Sequence, residues 1–267
     1  MKNNKTNLNL TVDKPTYSQL PELRNLWKEA FGDSDAFLDT FFQSAFDENR
    51  CRCVVVDEKV VAMLYWFECE FQEKPIAYIY AVATAKEMRG LGICHALMLD
   101  THQHLKANGY IGTILVPGNE GLFHFYKGLG YETCTHIEEI VFEDSTLHAF
   151  ESNPISIRTI NVAEYARLRR NYLPNGAIIQ EKENLDFLQK QANFYTGDNF
   201  LLAAHKSGDS LKGIEFLGNT SAIPSILQTL ECTKGSFRTP GKDRPFGMYY
   251  SFEKAVAMPN YFGFAFD

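Results

Sequence analysis

The chain has 267 residues, 45% of them hydrophobic and 22% charged, which suits a globular protein with a sizeable core and does not fit a disordered chain. A formal net charge of −7 argues against the clustered basic footprint that nucleic-acid binding requires, so no nucleic-acid partner is expected. The start, Met1-Lys2-Asn3-Asn4-Lys5, leads into no apolar run long enough for a signal peptide, and no stretch reaches membrane-spanning length; a cytoplasmic protein without a membrane partner is expected.

The elements follow in chain order. Leu20, Leu23, Leu26, Trp27, Ala30 and Phe31 repeat at the spacing of one helical face before Gly32 stops the run. Asp33-Ser34 can cap a second helix carrying Phe37, Leu38, Phe41, Phe42 and Ala45. The period then changes. Cys53 to Val56, Val60 to Phe67 and Ile76 to Thr84 are β-branched and aromatic runs split by polar turns, which predicts an antiparallel meander. Helical spacing returns from Leu91 to Asn108, followed by a strand over Ile111 to Val116, a short helix over Asn119 to Leu129 and a strand over Ile137 to Phe142.

The polar stretch Glu143-Asp144-Ser145 ends a first domain near Leu147, giving residues 1–147 and 154–267 as two domains. In the second, a strand over Ile155 to Ile160 and helices over Ala163 to Tyr172 and Asn184 to Ala192 are expected. Strands over Phe200 to Ala204 and Gly213 to Leu217, a helix over Ala222 to Leu230 and a strand near Met248 follow. By this order the halves read as divergent copies of one unit.

Cys51, Cys53, Cys69, Cys94, Cys134 and Cys232 form no CxxC pair, and no His cluster supplies the other ligands of a zinc site, so reduced thiols and no metal are expected. Cys51 and Cys53 stand two apart in a strand and share one face as small core residues.

The chemistry concentrates in Tyr80-Ala81-Val82-Ala83-Thr84-Ala85-Lys86-Glu87-Met88-Arg89-Gly90-Leu91-Gly92-Ile93-Cys94: strand, glycine loop, helix start. A helix that begins in glycines offers unpaired backbone N–H groups and a partial positive charge to a phosphate, and Arg89 can add charge-assisted bonds. A P-loop would need Lys-Ser/Thr where Ile93-Cys94 stands. A dinucleotide fold would want a small residue at His95 and a βαβ setting in place of the meander.

The segment instead resembles, as Arg89-x-x-Gly92-x-Cys94, the R/Q-x-x-G-x-G/A signature of the GCN5-related N-acetyltransferase (GNAT) superfamily, with cysteine where glycine or alanine is usual. Asn119-Glu120-Gly121-Leu122-Phe123-His124-Phe125-Tyr126-Lys127-Gly128-Leu129-Gly130-Tyr131 is similar to the superfamily's N-x-x-x-x-x-x-Y-x-x-x-G-F/Y element. The element order from Leu8 to Phe142 also matches. The resemblance implies an α/β GNAT acyl-CoA acyltransferase fold, a mixed and mostly antiparallel sheet flanked by helices, in tandem with a shorter, degenerate GNAT-like C-terminal domain. It further implies acetyl-CoA, or another acyl-CoA, as co-substrate and an amine as acceptor.

Residue by residue, the resemblance assigns the backbones of Val82, Ala83 and Thr84 to the pantetheine arm and Arg89, Gly90, Leu91, Gly92, Ile93 and Cys94 to the pyrophosphate. It adds Asn119 to the cofactor contacts and makes Tyr126 the proton donor to the departing thiolate. A non-catalytic acyl-CoA sensor on the same fold is the competing expectation. The base that takes the amine proton is not singled out: Glu68 and Glu70 share a strand face, which reads more simply as a solvated surface. The tail Pro259-Asn260-Tyr261-Phe262-Gly263-Phe264-Ala265-Phe266-Asp267 is aromatic enough to dock in a groove. Resemblance to the enhanced-intracellular-survival branch makes the terminal carboxylates, Asp267 among them, a further candidate base, against the plainer reading of a tail that only packs. Removal of Phe264 to Asp267 is then expected to cut turnover without thermal cost.

Overall fold

The computed structural model describes residues 10–143, 155–253 and 257–266. The chain divides into two compact units, one built from residues 10–68, 75–115 and 250–253, the other from 69–74, 116–143, 155–249 and 257–266.

The first unit opens with a short strand β1 (Thr11–Asp13), then α1 (Leu20–Phe31) and α2 (Asp35–Ser44). Gly32 ends α1 in the left-handed conformation at φ 75°, and Ser34 starts α2 by accepting the Phe37 N–H at 3.2 Å, both as the sequence predicts. The meander is β2 (Cys51–Val56), β3 (Lys59–Phe71) and β4 (Lys74–Thr84), with β1 and β3 antiparallel on either side of β2. Strand alternation sends Tyr65 and Phe67 to the face covered by α1 and α2. There Phe41 meets Trp27 at 4.7 Å, Tyr65 at 5.0 Å and Tyr80 at 6.2 Å, an aromatic core that fixes both helices. Trp66 turns to the opposite face, where its ring approaches His104 of α3 (Ile93–Ala107) at 6.0 Å.

After α3 the chain forms β5 (Gly112–Leu115), parallel to β4. Late residues complete this unit. Tyr250 stacks on the buried His102 ring at 4.4 Å, and Phe252 N–H donates to the Ile111 carbonyl at 2.9 Å.

In the second unit come α4 (Glu120–Gly128), β6 (Glu132–Thr133), β7 (His136–Phe142), β8 (Arg158–Ile160), α5 (Val162–Tyr172), α6 (Glu183–Leu188) and β9 (Asn193–Gly197). They are followed by β10 (Phe200–Ser207), β11 (Ser210–Gly218), α7 (Ile223–Thr229), β12 (Lys234–Pro240), β13 (Arg244–Pro245) and the first two residues of β14 (Met248–Ser251), whose last two belong to the first unit. A seven-stranded sheet runs β13-β7-β12-β11-β10-β9-β8. Leu201 and Ala203 face one core, with Tyr165 and Phe264; Leu202 and Ala204 face the other, with Ile226 and Phe237. β6 pairs antiparallel with Met248 and Tyr249 of β14.

The two halves repeat one topology. In each, a short strand precedes two helices, an antiparallel meander follows, and a helix then leads to a strand parallel to the meander's last member: β1 to β5 in one case, β8 to β12 in the other. Sheet membership departs from chain order at two places. β7 pairs with β12, and β14 takes the place beside β5.

A buried ion pair organises the second unit. Glu215 accepts from Arg169 through Nε at 2.7 Å and Nη2 at 2.8 Å, and from the hydroxyls of Tyr165 and Tyr261 at 2.6 and 3.0 Å. Gln180 Oε1 accepts the N–H groups of Gly263 and Phe264, and its Nε2 donates to the Phe264 carbonyl at 2.6 Å. The aromatic tail is therefore docked, with Phe264 fully buried. This corrects one expectation: removing Phe264 onward takes a core side chain with it and carries a thermal cost.

Candidate functional site

The glycine loop joins β4 to α3. The register between β4 and β5 runs Ala77↔Thr113 and Tyr78↔Ile114 and stops there, so Ile79 to Thr84 continue beyond β5. Val82, Ala83 and Thr84 sit on that extension, with their backbones placed as an edge that an extended ligand can join. Within it Ala81 has φ 51°, left-handed for a residue with a side chain, at a cost on the order of 1 kcal/mol. Such a kink re-aims the following backbone groups. Sequence reading missed Ala81 because alanine carries no signal for that conformation, where Gly or Asn would have flagged it.

Past Thr84 the chain makes one 3-10 turn, Lys86–Met88, closed by Met88 N–H to the Ala85 carbonyl at 2.9 Å. Arg89 Nε donates to the Thr84 carbonyl at 2.9 Å, tying the end of β4 to the loop. Gly90 and Gly92 follow at φ 76° and 80°. A Cβ built on either would meet no protein atom within 4 Å, so these glycines answer to their backbone angles and to open space above the loop. Leu91, between them, is 55% exposed.

Gly92 is the N-cap of α3 and supplies no side-chain acceptor, and no acidic residue lies in the helix's first turn. By contrast α2 and α4 are capped by Ser34 and Asn119. The N–H groups at the head of α3, around Ile93 and Cys94, thus present the positive end of a fifteen-residue helix with neither a side-chain cap nor an acidic residue in its own first turn. The loop fits a pyrophosphate. Cys94 lies in the first turn near the Thr84 hydroxyl; burial pushes its thiol up to about 11, a packed protonated thiol and a poor nucleophile. The same holds for Cys53, pushed up to about 11 by burial, and for Cys51, raised well above its ordinary value by full burial; both face the core as expected.

Asn119 and Tyr126 belong to the second unit. Asn119 Oδ1 accepts the Leu122 N–H at 3.0 Å, which commits that oxygen to starting α4. Tyr126 lies on the buried side of α4, its ring 5.7 Å from Tyr131, while His124 is exposed. Glu68 accepts the Tyr110 hydroxyl at 2.9 Å, and Glu70 is held by backbone bonds to Ile179. Asp267 lies outside the described residues. Among the described residues no cluster of His, Cys, Asp and Glu could hold a metal ion, and no helix is long and apolar enough to cross a membrane.

The counterpart loop of the second half is closed. Gly218, at the end of β11, has φ 104°, but a Cβ there would overlap the Asn199 carbonyl, and Asn219 caps the next turn by accepting the Ser221 N–H at 3.1 Å.

Comparison with known proteins bears on this loop and its surroundings. Residues 11–134 match a family described as acetyltransferase (GNAT) domain. Among solved structures the chain is similar to a GCN5-related N-acetyltransferase from Kribbella flavida, at 16% identity and a TM-score of 0.69 over 90% of this chain and 70% of that one. It is also similar to one from Anabaena variabilis, at 14% identity and a TM-score of 0.73 over 90% and 72%. The N-myristoyltransferase of Saccharomyces cerevisiae, solved with bound myristoyl-CoA, is similar at 10% identity and a TM-score of 0.56 over 94% and 84%. No curated protein matches the chain. At these identities the structural likeness is one of fold.

Proposed function

We propose, from the match of residues 11–134 to the GNAT acetyltransferase domain, that the chain transfers an acetyl group from acetyl-CoA to the amine of a small molecule or protein by direct attack. The observation that carries this reading is the head of α3, with its glycine cap, open surroundings and absence of a side-chain cap. The thioester of the bound co-substrate supplies the activated acyl group. Arg89, Gly90, Leu91, Gly92, Ile93 and Cys94 hold its pyrophosphate, and the backbones of Val82, Ala83 and Thr84 pair with its pantetheine amides and polarise the carbonyl. Asn119 starts the helix that carries Tyr126 and offers its amide nitrogen to the cofactor. Tyr126 gives a proton to the departing thiolate.

Residues 154–267 act in this reading as a degenerate GNAT-like domain that shapes the acceptor site without binding a second CoA, a role supported by the crowded Gly218 and the capping Asn219. Asp267 is the proposed base, with Glu68 and Glu70 as the alternative. Incubating the full chain with acetyl-CoA and a panel of amines, and following free thiol, tests the proposal. Thiol release that depends on an amine is expected. Tight CoA binding without release under any amine would favour the sensor instead.

A further inference from the structure

A second polar cleft lies at the other end of α3. The helix places its last turn about 20 Å from the glycine loop at 1.5 Å per residue. There, over β2 and β3, is a cleft of about 620 Å³ lined by Trp66, Arg52, Tyr110, Glu68, Lys14 and Asp47 among others. Of the groups named for acyl transfer, only Glu68, an alternative base, borders it.

Its buried side holds donors that lack acceptors. Trp66 is 2% exposed, and its indole N–H finds no hydrogen-bond partner among the described residues. The Tyr110 oxygen stands near the indole without closing a bond of acceptable geometry and gives its own proton to Glu68 at 2.9 Å. Arg52 presents a second buried donor, Nε, likewise without a partner, although its terminal nitrogens reach the Val12 carbonyl at 3.1 Å and the carboxylates of Asp100 and Asp13. The chain's other tryptophan gives the contrast: Trp27 Nε1 donates to Asp33 at 2.8 Å. A buried N–H without an acceptor has lost its bond to water and gained none in return. A ligand that brings acceptor oxygens to this floor supplies the missing bond.

The lining charges narrow the ligand. Lys14, Arg50 and Arg52 are offset by Asp13, Asp47 and Glu68 around the same cleft. Burial, with Arg52 close by, holds His104 below its ordinary range, so it adds no positive charge at neutral pH. A bare anion meets the carboxylates and a bare cation meets the bases. A molecule carrying both charges meets complements of each. We propose that this cleft binds a small zwitterion of the amino-acid class, its carboxylate directed inward to Trp66 and Arg52 and its ammonium outward to Glu68.

The two tryptophans make the test internal. In ¹⁵N-labelled full-length protein the indole N–H resonances of Trp27 and Trp66 are followed while common amino acids, taken singly, and acetate and methylammonium are titrated to about 20 mM, enough for a dissociation constant near 1 mM. At least one amino acid is expected to move the Trp66 resonance saturably while Trp27 stays fixed, with acetate and methylammonium at least about tenfold weaker. Glu68→Gln, on an exposed side chain, is expected to weaken that amino acid about fivefold or more and leave Trp27 unmoved. A Trp66 resonance indifferent to the whole panel overturns the site. Acetate matching the best amino acid, or Glu68→Gln without effect, overturns the zwitterion.

Discussion

Replacing Gly92 by alanine separates what the glycine loop does for the fold from what it does for a ligand. At φ 80° an L-residue is strained by on the order of 1 kcal/mol, yet its Cβ meets no protein atom within 4 Å, so the folded chain bears little beyond that strain. For a protein of this size the loss lowers Tm by about 2–4 °C. A pyrophosphate on the head of α3 feels the substitution more, because the methyl group occupies the space through which the phosphate approaches the helix N–H groups. Interactions of that kind reach about 2 kcal/mol in partly buried geometry, roughly 30-fold in Kd. Gly218→Ala is the mirror case. Its Cβ overlaps the Asn199 carbonyl, so it should destabilise by about 1–3 kcal/mol and leave CoA affinity unchanged. Calorimetric titration with CoA beside thermal unfolding reads both quantities, and one site per chain is expected. A Gly92→Ala protein that binds CoA within about twofold of the parent, or a folded Gly218→Ala protein that loses CoA equally, would refute the assignment of the phosphate to the first loop alone.

Tyr126→Phe should lower turnover about 10²-fold with CoA affinity retained, measured by steady-state thiol release and titration; unchanged turnover removes Tyr126 from the mechanism. Cys94→Ala should leave turnover close to the parent, and with its pKa near 11 the Cys94 thiol is about one-thousandth thiolate at pH 8 and should alkylate slowly. His102 is held neutral, its pKa pushed down from 6.5 to about 4 by burial. The unfolded chain takes up that proton first, so stability should fall as pH drops from 6.5 through about 4, by roughly 3 kcal/mol in all. His102→Phe, which preserves an aromatic neighbour for Tyr250, should flatten that slope in denaturant titrations at several pH values. Asp267→Asn should reduce turnover while Tm holds; full activity would end the proposed role of Asp267 as base.

Elements with a long, one-sided period were legible in sequence. Leu20–Phe31 is a helix at the expected bounds because Gly32 and the Leu23, Leu26 and Trp27 stripe leave little freedom. β9 and β12 were missed. Asn193-Phe194-Tyr195-Thr196-Gly197 is short and glycine-ended, and Lys234 to Pro240 alternates small and polar residues whose place is set by pairing with β7 and β11. At the site, Arg89, Gly90 and Gly92 announce the loop by residue type. Ala81 does not, since its angle is imposed by its surroundings. Arg89 bonding Thr84 and Asn119 capping α4 are local roles that residue type permits but spacing alone does not choose.

The displaced strands set a timetable for assembly. A ribosome releases β7 early, yet its partner β12 is nearly a hundred positions away in the chain, and the place beside β5 waits for β14. His102, midway along α3, leans on Tyr250 and Phe252, residues made long after the glycine loop itself. A nascent chain truncated near residue 147 therefore carries every motif of the proposed acetyl-CoA site except Asp267 and lacks the bracing of its central helix. Fragments of that length should emerge as loosely packed, chaperone-dependent species, and CoA should protect them from proteolysis only once residues 250–253 are supplied.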